Sequence, residues 1–136
     1  MTNFNDSYES FKKAWGNFSI GDMKGFISKD YAAREVRDGE IVDFGYEESV
    51  EGWTQAFDYF SDKVAEWHLN DIGFIPVKDD EMVAILSATL TVDGKTMETA
   101  NLFFDTFKKT SEDGWLMMRS YIETGVPLDK LDDVRV

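Results

Sequence analysis

No cysteine occurs among the 136 residues, so disulfide bonds and thiolate chemistry are excluded. The lone histidine, His68, cannot build a histidine-rich metal site, and neither a metal nor another cofactor is expected. Two prolines and ten glycines are too few for a linker or a low-complexity tract. Basic residues are outnumbered, 14 against 27 acidic, for a net charge of −13. Nucleic acid and anionic membrane surfaces carry the same sign, so neither is expected as a partner. The longest apolar run, Met82-Val83-Ala84-Ile85-Leu86, is far too short to span a bilayer. The first residues lack the positive region and apolar core of a secretory signal. These absences leave a cytoplasmic location as the expectation.

What is present points to one well-filled core. Hydrophobic residues make up 43% of the chain and aromatic residues 15%, too many for a disordered, solvating chain. The length suits a single domain over residues 1–136, with its body near 6–126 and a tail over 127–136. Acidic groups gather in turn-like segments such as Asp79-Asp80-Glu81. They serve solubility there, and no calcium-loop spacing joins them.

Phe4, Tyr8, Phe11, Trp15 and Phe18 recur at the spacing of an amphipathic helix, with Asp6 or Ser7 as cap and Gly21 as exit. Asp22 is placed to cap a shorter helix carrying Met23, Phe26 and Ile27. Asp38-Gly39 between strand-like segments signals a hairpin. Ser49 could cap a third helix whose stripe is Val50, Trp53, Phe57, Phe60 and Val64. The period then changes to two, and strands are expected over 67–77, 82–93, 96–110 and 115–124, with turns at Asp93-Gly94 and Asp113-Gly114. Helices followed by meandering strands give an α+β layer, helices packed into a curved antiparallel sheet. Both faces of the last two strands are rich in apolar residues. One face must meet the helices, and the other would be left in water unless a second copy covers it. A homodimer through the outer sheet face is expected.

Three segments carry a resemblance to a known superfamily. They are Gly21-Asp22-Met23-Lys24-Gly25-Phe26, Glu51-Gly52-Trp53, and Phe104-Asp105-Thr106-Phe107-Lys108 with Asp113-Gly114-Trp115-Leu116. In order and spacing they resemble the NTF2-like superfamily, which includes ketosteroid isomerases, SnoaL-type cyclases and many small bacterial proteins. The resemblance implies a cystatin-like cone with a deep pocket between sheet and helices, commonly dimeric. It also implies that Asp105 points into the pocket, as a carboxyl group does in ketosteroid isomerases and SnoaL-type cyclases. Neither catalytic set is complete. Ala14 stands where ketosteroid isomerases place a tyrosine, Asp38 sits in a hairpin turn, and Met118 and Ser120 replace charged cyclase residues.

Asp105 is therefore the candidate catalytic residue, because a carboxyl group buried among rings has a raised pKa and can act near neutrality. Strand alternation would place Asn101, Phe103, Phe107, Leu116, Met118, Ser120 and Ile122 beside it, with Arg119 and Tyr121 outside. The expected pocket is completed by Trp15, Phe26, Tyr31, Trp53, Phe57, Leu86 and Leu90. Arg34, Glu35 and Arg37 read as solvated charges, and His68 as exposed. Three uses of the interior remain open. It could hold a small hydrophobic or aromatic ligand, it could be an isomerase, cyclase or dehydratase site using Asp105, or it could be filled by its own side chains in an interaction module.

Overall fold

The computed structural model describes residues 3–110 and 114–134. Helix α1 (Phe4–Gly16) buries Phe4, Tyr8, Phe11 and Trp15, four aromatic residues at steps of four and three. Its cap is Asn3, whose side-chain oxygen accepts from the Asp6 amide at 2.9 Å, rather than Asp6 or Ser7. Ser7 is instead buried and accepts from the Trp115 amide at 3.3 Å. The left-handed exit falls on Phe18 (φ 55), not on Gly21, because the chain leaves the helix early to lay Phe18 on Phe57. Ser19 then caps α2 (Ile20–Met23) in place of Asp22. A short 3-10 turn (Lys24–Phe26) follows, and Ile27 already belongs to the first strand.

Strands β1 (Ile27–Arg37) and β2 (Glu40–Gly45) form the expected hairpin. Asp38 (φ 49) and Gly39 (φ 81) both take the left-handed conformation that a two-residue hairpin turn needs. Helix α3 (Tyr46–Phe60) begins earlier than Ser49 would have it, with Gly45 as cap, Glu47 and Glu48 in the positive first turn, and Ser49 buried. Val64 lies beyond its end and is exposed. The remaining strands are β3 (Ala65–Lys78), β4 (Glu81–Val92), the two-residue β5 (Lys95–Thr96), β6 (Thr99–Thr110) and β7 (Gly114–Pro127), followed by α4 (Leu128–Leu131). Asp93 (φ 52) and Gly94 (φ 83) turn β4 into β5. The turn at Asp113-Gly114 lies partly outside the described residues.

One sheet results, in the order β2-β1-β7-β6-β4-β3, with β5 paired to β4. Every pairing is antiparallel except β1 with β7, which is parallel. The α1 helix lies against the sheet and is tied to edge strand β3 through Asp71. That carboxylate accepts from Tyr8 Oη at 2.6 Å and from Lys12 Nζ at 2.8 Å. Among the described residues no helix is long and apolar enough to cross a membrane.

The pairing of β6 with β7 departs from simple alternation. Asp105 faces Ser120 and Phe107 faces Met117, so Met118 is an extra residue, a bulge that reverses which side chains point inward. Trp115 and Met117 are buried, whereas Leu116 and Met118 are only half-buried. The expected inward placement of Leu116 and Met118 is corrected by that single residue. Beyond the bulge Ser120 and Ile122 face inward, and Arg119 and Tyr121 face out.

Candidate functional site

A cavity of about 480 Å³ lies between α1, α3 and the sheet. Its existence traces to side-chain size. On α3 Glu48 stands at the rim, and the residues that face the interior of the cavity are Ser49, Gly52, Trp53 and Ala56, at the spacing of one helical face. Three of the four are too small to reach the sheet, and the hollow remains. Helix α1 contributes Phe11 and Trp15, and β3 contributes Trp67. Trp15 is the hinge of this wall, with ring centroids 4.9 Å from Trp53, 5.6 Å from Trp67 and 5.1 Å from Phe103. The Nε1 atoms of Trp15 and Trp67 are buried without an acceptor. Trp15 is almost fully buried by these ring contacts, so the ring surface on this wall belongs to the half-buried Trp53 and Trp67.

The floor is polar at one place. Asp105 and Asn101 on β6, Ser120 on β7 and Tyr31 on β1 all line the cavity. Asp105 is 1% exposed, and its Oδ1 accepts from Ser120 Oγ at 2.7 Å. No other described side chain or amide donates to this carboxyl group. Burial raises its pKa from 3.8 to about 7, with the Ser120 hydrogen bond pulling the other way. Burial also holds the Tyr31 phenol well above its ordinary value, and the Asp105 charge adds to this against hydrogen bonds with Ser120 and Ser49. The result is a short polar string, Asp105-Ser120-Tyr31-Ser49, in an otherwise apolar hollow. Chemically it can donate a hydrogen bond when Asp105 is protonated, or accept one or a proton when it is not.

The mouth is charged. Glu35, Arg37, Asp43 and Glu48 line it, with Arg37 paired to Glu35 and Asp43 paired outward to Arg34 at 2.7 Å. Among the described residues no three His, Cys, Asp or Glu side chains cluster closely enough to hold a metal ion.

Of the residues expected to form the pocket, the structure brings Asp105, Trp15, Tyr31, Trp53, Asn101, Phe103 and Ser120 together. It places the others elsewhere. Phe107 is 1% exposed within a packed aromatic cluster with Phe4, Tyr8 and Phe11. Phe57 packs under Phe18 and Trp53, and Phe26 packs on Phe11. Leu86 and Leu90 are buried in the core sheet away from the hollow, and Met118 sits at the bulge, its place taken by Met117. Ala14 is buried, Asp38 is an exposed turn residue, and His68 is exposed, bonding to Thr91 Oγ1 at 2.8 Å. Sequence reasoning missed the small residues of α3, Trp67 and the mouth carboxylates. The spacing of Ser49, Gly52 and Ala56 on the Trp53 face was the available signal.

No protein-family model and no curated protein matches the chain. Solved structures do match. A domain of unknown function with a cystatin-like fold from Nostoc punctiforme superposes with a TM-score of 0.68 at 17% identity, covering 93% of this chain and 80% of its own. A ketosteroid isomerase-like protein from Erwinia carotovora atroseptica gives 0.66 at 12% identity, covering 90% and 94%. An NTF2-like protein of unknown function in nutrient uptake from Rhodospirillum rubrum gives 0.67 at 13% identity, covering 90% and 98%. With the curved sheet, the covering helices and the hollow between them, the chain has the cystatin-like, NTF2-like α+β fold.

Proposed function

We propose that the cavity binds a small hydrophobic or aromatic compound, with Asp105 as its polar anchor. The observation that carries this reading is one buried carboxyl group, served by one hydroxyl donor, on the floor of an aromatic-walled hollow. Small-molecule sites are largely apolar with a few placed polar groups, and protein interiors seldom leave such a space empty of purpose. The hollow also counts against an interior filled by its own side chains. Gly52 supplies the test, because a Cβ added there meets nothing within 4 Å. Gly52→Phe should plug the cavity without disturbing the helix. Calorimetric titration with naphthalenemethanol should give micromolar-range binding to the wild type and a loss of about tenfold or more in the variant. Equal binding to both, or none to either, refutes the reading.

The pKa of Asp105 supports a second use. A carboxyl group near pKa 7 is suited to general acid or base work, as in an isomerase, cyclase or dehydratase. The Erwinia neighbour is itself described as ketosteroid isomerase-like. Under this reading Asp105→Asn abolishes turnover of a substrate it still binds, and unchanged turnover ends it. The partner reading is a second copy of the chain on the outer sheet face, where Phe104 and Tyr121 lie 6.0 Å apart and Tyr121 is 40% exposed. Sedimentation should show a dimer at micromolar concentration, and monomers alone would remove it.

A further inference from the structure

We infer that the cavity selects an organic cation, a ring-bearing ammonium compound whose charge meets the Asp105 carboxyl while its body lies on the indoles. The inference rests on the ligand-pocket reading above and names the chemical class. Four carboxyl groups line the cavity and its mouth, Glu35, Asp43, Glu48 and Asp105, against the single cation Arg37. Arg37 is paired to Glu35 and Asp43 to Arg34, so the excess of negative charge lies with Glu48 and Asp105. Glu48 has no ion-pair or hydrogen-bond partner among the described residues. At the floor, Asp105 takes one hydrogen bond on Oδ1 and none from any described donor on Oδ2. A buried carboxylate in that state is stabilised most by a charged donor, which an ammonium group supplies and an alcohol supplies only in part.

The walls favour the same class. Trp53 and Trp67 line the space half-buried, with Trp15 fixed behind them, and ring faces attract a cation through their quadrupole, tryptophan most of all. The Nε1 donors of Trp15 and Trp67 are covered, so an occupant's oxygens gain nothing from them. A carboxylate ligand would meet Asp105 in a low-dielectric space with no counter-charge on the floor. The whole chain, at −13, draws cations toward the mouth.

Three matched probes test this: naphthylmethylammonium, naphthalenemethanol and naphthoate, titrated calorimetrically into the wild type at about pH 8, where Asp105 is ionised. The ammonium should bind about tenfold or more tighter than the alcohol, and the carboxylate more weakly than either. Asp105→Asn should bring the ammonium to within about threefold of the alcohol. If that variant does not fold, the wild-type ranking decides alone. Alcohol or carboxylate binding as tightly as the ammonium overturns the inference and leaves the pocket reading standing, as does an ammonium advantage that survives Asp105→Asn. No binding of any probe up to about 1 mM removes both.

Discussion

The two ends of the concave sheet face are furnished with the same residue types and finish in opposite states. At one end Phe4, Tyr8, Phe11, Phe107 and Trp115 interlock, stacked along α1 and edge to face against the sheet, with centroids between 5.3 and 6.2 Å, and Tyr8, Phe11 and Phe107 are almost fully buried by one another and their neighbours. At the other, Trp15, Trp53, Trp67 and Phe103 make equally close contacts with each other yet enclose a hollow. Aromatic content therefore does not decide whether an interior is filled. The decision lies with what faces the rings. The filled end meets further rings, whereas the open end meets Ser49, Gly52 and Ala56.

The largest effect that could break this contrast is in stability. Phe107→Ala should cost about 3–5 kcal/mol in denaturant unfolding, because its neighbours cannot collapse into the vacated volume. Trp53→Ala, whose ring already borders open space, should cost less than half as much, although it removes a larger side chain. Equal losses would mean that the two ends are packed alike.

Next in size is the pH dependence of Asp105. Its folded pKa is raised to about 7 from 3.8, so the native state holds this proton more tightly than the unfolded chain does. Stability from the protonated form is therefore complete below the unfolded value and is lost as pH rises from about 4 to about 7. At about 1.4 kcal/mol per pH unit, the loss approaches about 4 kcal/mol. Asp105→Asn lacks this term, and its stability relative to wild type should climb by that order across the window. A constant difference would place the carboxyl group in solvent.

The bulge sharpens the contrast further. Met117→Ala should cost about 2–4 kcal/mol and Met118→Ala about 1 kcal/mol or less, since only Met117 is fully buried. The reverse order would restore unbroken alternation in β7. Smallest is the tie that clamps α1 to the edge strand. Tyr8→Phe should lose about 1–2 kcal/mol with the hydrogen bond to Asp71, and unchanged stability would show the contact to be idle.

Much of the fold was legible because its signals are local. Asp38-Gly39 and Asp93-Gly94 announce two-residue turns through the left-handed backbone that these residues tolerate, and the stripe from Phe4 to Trp15 announces α1. The resemblance set Asp105 inward on β6, and alternation then carried Asn101 and Phe103 to the same face. In β7 alternation held from Ser120 onward and misled only before the bulge, at Leu116 and Met118, because one inserted residue exchanges the faces there and methionine at both bulge positions gives no hint of which is buried. The exit of α1 at Phe18 was hidden for a related reason. A phenylalanine pays a backbone cost at positive φ that its packing on Phe57 offsets, and only the tertiary contact reveals it. The hollow itself was least legible. A search for large residues finds the walls, but an opening is written in small ones.

The most direct test is an NMR titration of the Asp105 carboxyl carbon in the folded protein. A midpoint near 7 supports a carboxyl group lodged on the floor of an apolar hollow with one hydroxyl beside it. A midpoint near the ordinary 3.8 would put that group in water, and the pocket, the anchor and the cation preference would lose their common basis.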